Sequence, residues 1–290
     1  MTSKSFSSLS IVNQNAKSIL NKATGFIKNY DFTLNAYRGC QYGCNYCYAS
    51  AFSPNQQMRE NWGSWVMIKE NAAELLNKEL GKIVEKQSAP PSIYMSSVTD
   101  PYQPIETKTF LTRRILEVLI AYQPILVLQT RSPMIVRDAD LLQQFKTLRI
   151  NMSIPTFSEK VRKDFEPRSP SILSRLQAIS KLKFLLPSDQ DHEIKFSITV
   201  TPLLPSYPED VTKFIQKLEI FDRIVIQPFH ANRKSSLVAS TPTSAIQLKE
   251  KYHWWYNQEK EKYHWFKQQL EYLTLSGVEI KEGEEGFRYD

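Results

Sequence analysis

Tyr37-Arg38-Gly39-Cys40-Gln41-Tyr42-Gly43-Cys44-Asn45-Tyr46-Cys47-Tyr48 contains all three cysteines of a 290-residue chain. Three residues separate the first pair and two the second. A cube-type iron–sulfur cluster that only carries electrons takes four thiolates. Three thiolates in one loop can hold three irons and leave the fourth open to a substrate or cofactor, as catalytic zinc sites keep one position free. An odd cysteine number argues against a disulfide framework. A Cys3His zinc site needs a histidine at finger-like spacing, and the nearest, His192, lies far downstream. Three cysteines so close together, interleaved with Gly39 and Gly43, do not read as inert core thiols. The stretch reads as a cluster loop, with zinc as the alternative. The two glycines are expected to let the backbone turn tightly around the inorganic core.

Outward from this loop, short apolar or β-branched runs alternate with helical patterns. Strands are expected at Phe32–Ala36, Ile93–Val98, Ile125–Thr130, Ile150–Ile154, Ile194–Val200 and Arg223–Gln227. Helices are expected around 69–86, 111–122, 138–147, 171–185 and 208–219. Leu75, Leu76, Leu80 and Ile83 form one apolar stripe, and Ile115, Leu116, Leu119 and Ile120 another. Strands alternating with helices predict a parallel sheet, because parallel neighbours need crossover connections. The expected fold is α/β: a partial (β/α)6 TIM-like barrel of parallel strands with a C-terminal helical extension. Function then belongs at the strand C-terminal ends. The cysteine loop, Ser96–Glu106, Thr130–Pro133, Ser153–Thr156, Thr201–Pro205 and Gln227–His230 all fall there.

The charge is +7 with a pI near 9.1, compatible with nucleic acid binding or with a modestly basic protein. No Gly-x-Gly-x-x-Gly or P-loop occurs, so neither a dinucleotide fold nor an NTPase is supported. No apolar run approaches a membrane span, and no secretory signal pattern opens the chain, so a cytoplasmic protein is expected. Residues 1–30 carry Lys4, Lys17, Lys22 and Lys28 without an acid and are expected to be a basic extension. Residues 31–240 are expected to be the core barrel, and 241–290 an aromatic helical extension. In the last, Glu250-Lys251-Tyr252-His253-Trp254 recurs as Glu261-Lys262-Tyr263-His264-Trp265. That period puts both copies on one helix face, for packing or as a stacking platform for bases.

The chain resembles the radical S-adenosylmethionine (SAM) superfamily in its cysteine spacing. From about residue 31 to 230 it is similar to the branch that includes spore photoproduct lyase, a DNA repair photolyase-like group. The matching pieces are Tyr37-Arg38-Gly39-Cys40, Thr99-Asp100-Pro101-Tyr102-Gln103-Pro104-Ile105-Glu106, Thr130-Arg131-Ser132, Arg137-Asp138 before Leu141-Leu142, and Phe165-Glu166-Pro167 followed by Arg175. The resemblance implies a 4Fe-4S cluster on Cys40, Cys44 and Cys47, with SAM chelating the open iron. It implies reductive cleavage to a 5′-deoxyadenosyl radical that takes hydrogen from a substrate, in a lyase or oxidoreductase. It also implies a one-electron donor such as flavodoxin or ferredoxin. Tyr46 would pack against the adenine, Arg131 would fork onto the carboxylate of SAM, and Ser153 would approach its methionine or ribose. Ser97, Thr99 and Asp100 would meet its amino end, and Glu166 and Arg175 would form an ion pair behind the site.

One departure matters. Spore photoproduct lyase proper carries a further cysteine on the strand-two loop, which returns hydrogen to the product radical. Here that region reads Ser96-Ser97-Val98, and Tyr102 is the candidate donor. The substrate is open, with nucleic acid as one candidate. The competing readings are a non-catalytic iron–sulfur module and a zinc-stapled nucleic-acid binder.

Overall fold

A computed structural model describes residues 9–186, 189–229 and 243–290. Lys4, His230 and the expected boundary near residue 240 lie outside the described residues. The described strands are β1 (Ser10–Gln14), β2 (Leu20–Lys22), β3 (Phe32–Leu34), β4 (Tyr37–Arg38), β5 (Trp65–Lys69), β6 (Ser92–Met95), β7 (Ile125–Thr130), β8 (Thr147–Ser153), β9 (Glu193–Val200), β10 (Arg223–Ile226) and β11 (Glu279–Glu282). The expected strands are β3, β6, β7, β8, β9 and β10, and they lie side by side in that order, all parallel. β2 adds antiparallel beside β3, and β11 adds parallel beside β10. These two edges do not pair with each other, so the barrel is partial and open.

Paired residues in register share a face of the sheet. One face carries the rows Ile93–Leu126–Leu148–Ile194 and Met95–Leu128–Ile150–Phe196. Helices Ala72–Val84, Leu111–Tyr122 and Ile172–Leu185 pack there through Leu76, Leu80, Ile115, Leu116, Leu119, Leu176 and Ile179. Each fully buried side chain of this kind contributes about 1.5–3 kcal/mol. The opposite face carries Thr33–Tyr94–Val127–Arg149, then Gln129–Asn151–Ser197–Arg223, then Ser153–Thr199–Val225. Parallel sheets are ordinarily apolar on both faces. This second face is largely polar, and the short helix Gly283–Gly286 packs against it at Val225. Its lower part is closed by the chain's end: Phe287 and Tyr289 pack with Tyr30, Tyr94 and Val127, and Arg149 donates to the Tyr289 carbonyl at 2.8–2.9 Å.

Several expectations need correction. The described part of the basic extension, residues 9–30, is built into the fold. β1 pairs with β5 in a small sheet of order β1-β5-β4, and β2 joins the main sheet. Lys17, Lys22 and Lys28 are exposed, and Lys28 pairs with Glu284 at 3.0 Å. The helix expected from 69 starts at Ala72, because Trp65–Lys69 is the central strand of that small sheet. The aromatic echo does not ride one helix. Thr243–Lys251, His253–Tyr256 and Glu259–Leu270 are separate helical pieces. Trp254 stacks on Tyr207 at 4.9 Å, Trp265 meets the buried Trp255 edge-on, and both pack against the core. Both tryptophans are thus packing residues. The C-terminal segment also contributes a strand, β11, to the main sheet.

Candidate metal centre

β4 delivers the chain into the cysteine loop, and the loop is tied down over the C-terminal ends of β6, β7 and β8. Thr99 donates to the Gly39 carbonyl at 2.7 Å, and the Gln103 amide oxygen accepts from the Gln41 N–H at 2.9 Å. The Gln41 amide oxygen accepts in turn from Ile105. Asn45 donates from its backbone to Phe165 at 2.8 Å and from its side chain to Asp164 at 2.6 Å. The glycines serve close approach rather than only a turn around a core. Gly39 has φ +85°, and a Cβ there would lie 2.6 Å from the Trp65 carbonyl oxygen. Gly43, at φ +55°, faces the Cα of Gly63 across a gap that a Cβ would close to 2.9 Å. Gly39→Ala therefore meets both a disfavoured backbone and a clash. It is expected to cost about 2–4 kcal/mol of stability, read from chemical denaturation.

Cys40 and Cys44 are buried and Cys47 is half-buried. Arg131 Nη1 donates to Cys44 Sγ at 2.9 Å, and Ser169 Oγ lies 3.8 Å from the same sulfur. Burial pushes all three thiols up, Cys44 to about 12, with Arg131 opposing the rise. Such thiols become thiolates when a cation supplies compensating charge, as metal coordination does. Among the described residues, no three Cys, His, Asp or Glu side chains converge as a single metal ion requires. A cube spreads its irons over separate corners, so thiolates that ring a cluster need not converge on one point. Soft sulfur donors, a cationic N–H on one of them and a loop free of carboxylates fit an iron–sulfur cluster.

Arg131 follows β7 and is shared. Its Nη1 also reaches Tyr46 Oη at 3.2 Å and forms an ion pair with Glu166. Glu166 receives Arg175 Nη2 at 2.6 Å and the Tyr46 hydroxyl at 2.6 Å. Burial works to raise Glu166, but the Arg175 and Arg131 charges together hold its carboxyl below the usual range. The expected Glu166–Arg175 ion pair is thus present, and Arg131 extends it to the cysteines. Asp100 is buried and accepts from Arg131 N and Tyr102 N at 2.9 Å and from Thr130 Oγ1 at 2.7 Å. With its donors so satisfied, Asp100 positions the Arg131 backbone. Tyr46 sits beside Phe165 with its hydroxyl engaged by Glu166. Ser97 Oγ accepts from Asn35 at 3.3 Å, and the Ser153 carbonyl accepts from Arg175 at 2.8 Å.

Tyr102 is not brought to the cysteines. It is fully buried in the helix-side core, its hydroxyl faces Asp138 without completing a hydrogen bond, and Arg137 lies over its ring. It belongs to a second polar group in which Arg137 pairs with Glu106 and Asp138 at 2.8 Å each, and Arg113 with Asp138 at 3.1 Å. The candidate hydrogen donor is corrected accordingly: this geometry makes Tyr102 a packing residue.

The polar sheet face adds residues that motif reading missed. Ser96, Asn151 and Thr199 are each at most 3% exposed, and Ser96 Oγ, Asn151 Oδ1 and Thr199 Oγ1 have no hydrogen-bond partner among the described residues. Buried polar atoms are nearly always satisfied, so these await a ligand or ordered water. Ser96 also holds a left-handed backbone, φ +74°, a conformation that costs about 1–3 kcal/mol and clusters at functional sites. Tyr94 donates to Gln129, and Asn151 Nδ2 reaches Tyr94 Oη at 3.5 Å. The signal was present as alternation: Arg149, Asn151 and Ser153 alternate with Leu148, Ile150 and Met152.

Comparison with known proteins agrees with this fold. An uncharacterised protein of Methanocaldococcus jannaschii is 35% identical over 201 residues, covering 69% of this chain and 70% of that protein. An uncharacterised protein of Acidianus two-tailed virus is 28% identical over 210 residues, 68% of this chain and 65% of the viral protein, just under two thirds of its length. A solved spore photoproduct lyase variant with bound AdoMet and dinucleoside spore photoproduct superposes with a TM-score of 0.62. It covers 93% of this chain and 81% of its own at 14% identity, a likeness of fold. The family model described as the radical SAM superfamily matches residues 34–188.

Proposed function

Because the chain belongs to the radical SAM superfamily, whose cofactors are a 4Fe-4S cluster and SAM, we propose that Cys40, Cys44 and Cys47 hold the cluster and that SAM lies between it and the polar sheet face. Hydrogen abstraction from a nucleic acid substrate is the reaction we put forward. The observation that carries this reading is Arg131, placed at the end of β7 between Cys44 and Glu166. When bound, the reduced cluster and SAM supply one-electron cleavage to methionine and a 5′-deoxyadenosyl radical.

The chain's own residues bind, orient and exclude water. Asp100 and Glu166 fix Arg131 from its backbone and its guanidinium, leaving a positive head for a carboxylate, which a guanidinium binds bidentately. Ser97, Thr99 and Ser153 line the neighbouring strand ends. Val161, Phe165, Leu204, Phe229 and Tyr252 pack around the cysteines and exclude water from the loop. The unpartnered Ser96, Asn151 and Thr199 groups suit a substrate rich in hydrogen-bonding edges, and a fold neighbour's bound dinucleoside supports nucleic acid as the class. The three loop thiols are the chain's only thiols, so we do not extend the proposal to dimer lysis. A one-electron donor of the flavodoxin or ferredoxin kind completes it.

Anaerobically reconstituted, reduced protein given SAM is expected to release 5′-deoxyadenosine and methionine, measured by mass spectrometry; a cluster-loaded protein that forms neither would refute the reading. Arg131→Ala is expected to weaken SAM binding by about 1.5–3 kcal/mol while retaining iron and sulfide. The check is the SAM-induced change in the reduced cluster's paramagnetic resonance spectrum. Unchanged affinity would assign Arg131 to structure alone.

A further inference from the structure

We propose that the cavity between the cysteine loop and β5 binds a phosphodiester of unpaired nucleic acid; this rests on the nucleic acid reading above and gives it a strand-binding subsite. The cavity holds about 460 Å³, within the range of small-ligand sites, and its wall includes Arg38, Phe52, Trp62 and Lys69. Its charge is one-sided. No carboxylate lies within salt-bridge distance of Arg38 or Lys69 among the described residues; Arg38 is exposed at the mouth and Lys69 is half-buried. Lys69 Nζ donates to the Asn35 carbonyl at 2.7 Å, and Arg38 Nη2 donates to the Phe52 carbonyl at 2.8 Å. Both spend one donor on neutral backbone and keep the rest. Burial, and after it the Arg38 charge, hold the Lys69 amine down to about 8. Glu79, the acid that acts against this, is engaged by the N–H groups of Ile19 and Leu20 at 2.9–3.3 Å.

Two cations without an ion-pair partner among the described residues, side by side on a concave wall, suit an anion. The aromatic neighbours narrow its class. Phe52 is 56% exposed at the rim, and Trp62 lines the wall with its indole N–H unpartnered among the described residues. Cations interleaved with accessible rings suit a phosphate flanked by a base, since every base offers a π-face and the backbone offers the charge. A recessed cavity admits an unstacked nucleotide, whereas paired bases in a duplex remain stacked. The aromatic helix pieces near the C-terminus cannot serve here, because Trp254 and Trp265 are spent on packing.

The test is fluorescence anisotropy with a labelled oligothymidylate and the full-length protein, across a salt series. Arg38→Gln and Lys69→Met are each expected to weaken binding about three- to tenfold, and each to lower the slope of log affinity against log salt by about 0.7, the loss of one single-strand phosphate contact. Phe52→Ala should weaken binding with the slope unchanged. Ser53→Glu, which adds a negative charge at the rim without removing either cation, should also weaken it and guards against a variant that merely folds poorly. Equal affinity and slope in the Arg38→Gln/Lys69→Met double variant would overturn the proposal. So would equally tight duplex binding, or displacement of the strand by thymidine monophosphate at equal concentration, which would make this a free-nucleotide site. Iron, sulfide and substrate-free 5′-deoxyadenosine formation on the same preparations report on the radical chemistry separately, so the two readings can fail independently.

Discussion

Cys40→Ala, Cys44→Ala and Cys47→Ala proteins, each reconstituted anaerobically, are expected to carry no 4Fe-4S cluster and to form no 5′-deoxyadenosine. The chain has no other thiol to substitute for a lost ligand. The loop offers no carboxylate or histidine between residues 37 and 48 either. The scaffold should survive, because the loop is held by Thr99, Gln103 and Asn45 through bonds that do not involve sulfur. Far-ultraviolet circular dichroism should therefore match the parent while iron and acid-labile sulfide fall to background. Sulfide at parental levels in any one variant would remove that cysteine from the ligand set. Stoichiometric zinc without sulfide in the parent protein would replace the cluster with a different centre altogether.

The second large effect is thermodynamic. Glu166→Ala is expected to destabilise the fold by about 3–5 kcal/mol, the usual result of removing one member of a buried charge network. Glu166 and Arg175 are both fully buried, and Arg131 is largely so. Without the carboxylate, two guanidinium groups share a space with no counter-charge, and the Tyr46 hydroxyl loses its acceptor. The sign of the pH dependence follows. The carboxyl is held below its usual 4.5, so its contribution is present above that value and is lost as pH falls through the folded-state value. Urea denaturation of the parent between pH 7 and pH 3 should show this acid loss, and Glu166→Gln should show less of it. A cost under 1 kcal/mol for Glu166→Ala would mean that Arg131 and Arg175 find other partners.

Much of this architecture was legible in short windows of sequence. The cysteine spacing, the β-branched runs of β7 and β9, and the helical stripe of Leu76 and Leu80 are each decided by residues within a turn or a strand of one another. So is the order of the parallel strands, because each crossover returns the chain beside the strand it has left. The polar positions Arg131, Glu166 and Arg175 were visible one by one, but their union was not, since β7 and the turn after Phe165 meet only when the sheet is assembled. Tyr102 stood out by its place in the motif after β6, yet the turn there buries it in the helix-side core, while strand alternation sets the unremarked Tyr94 on the polar face. The leader and the tail read as appendages because β2, β1 and β11 are short and find their stability in pairing with distant strands, a gain that no local pattern records. Composition and spacing thus determined which groups this protein has for its chemistry. Register and packing decided which of them face one another, because a side chain's partner depends on the far half of the chain being in place.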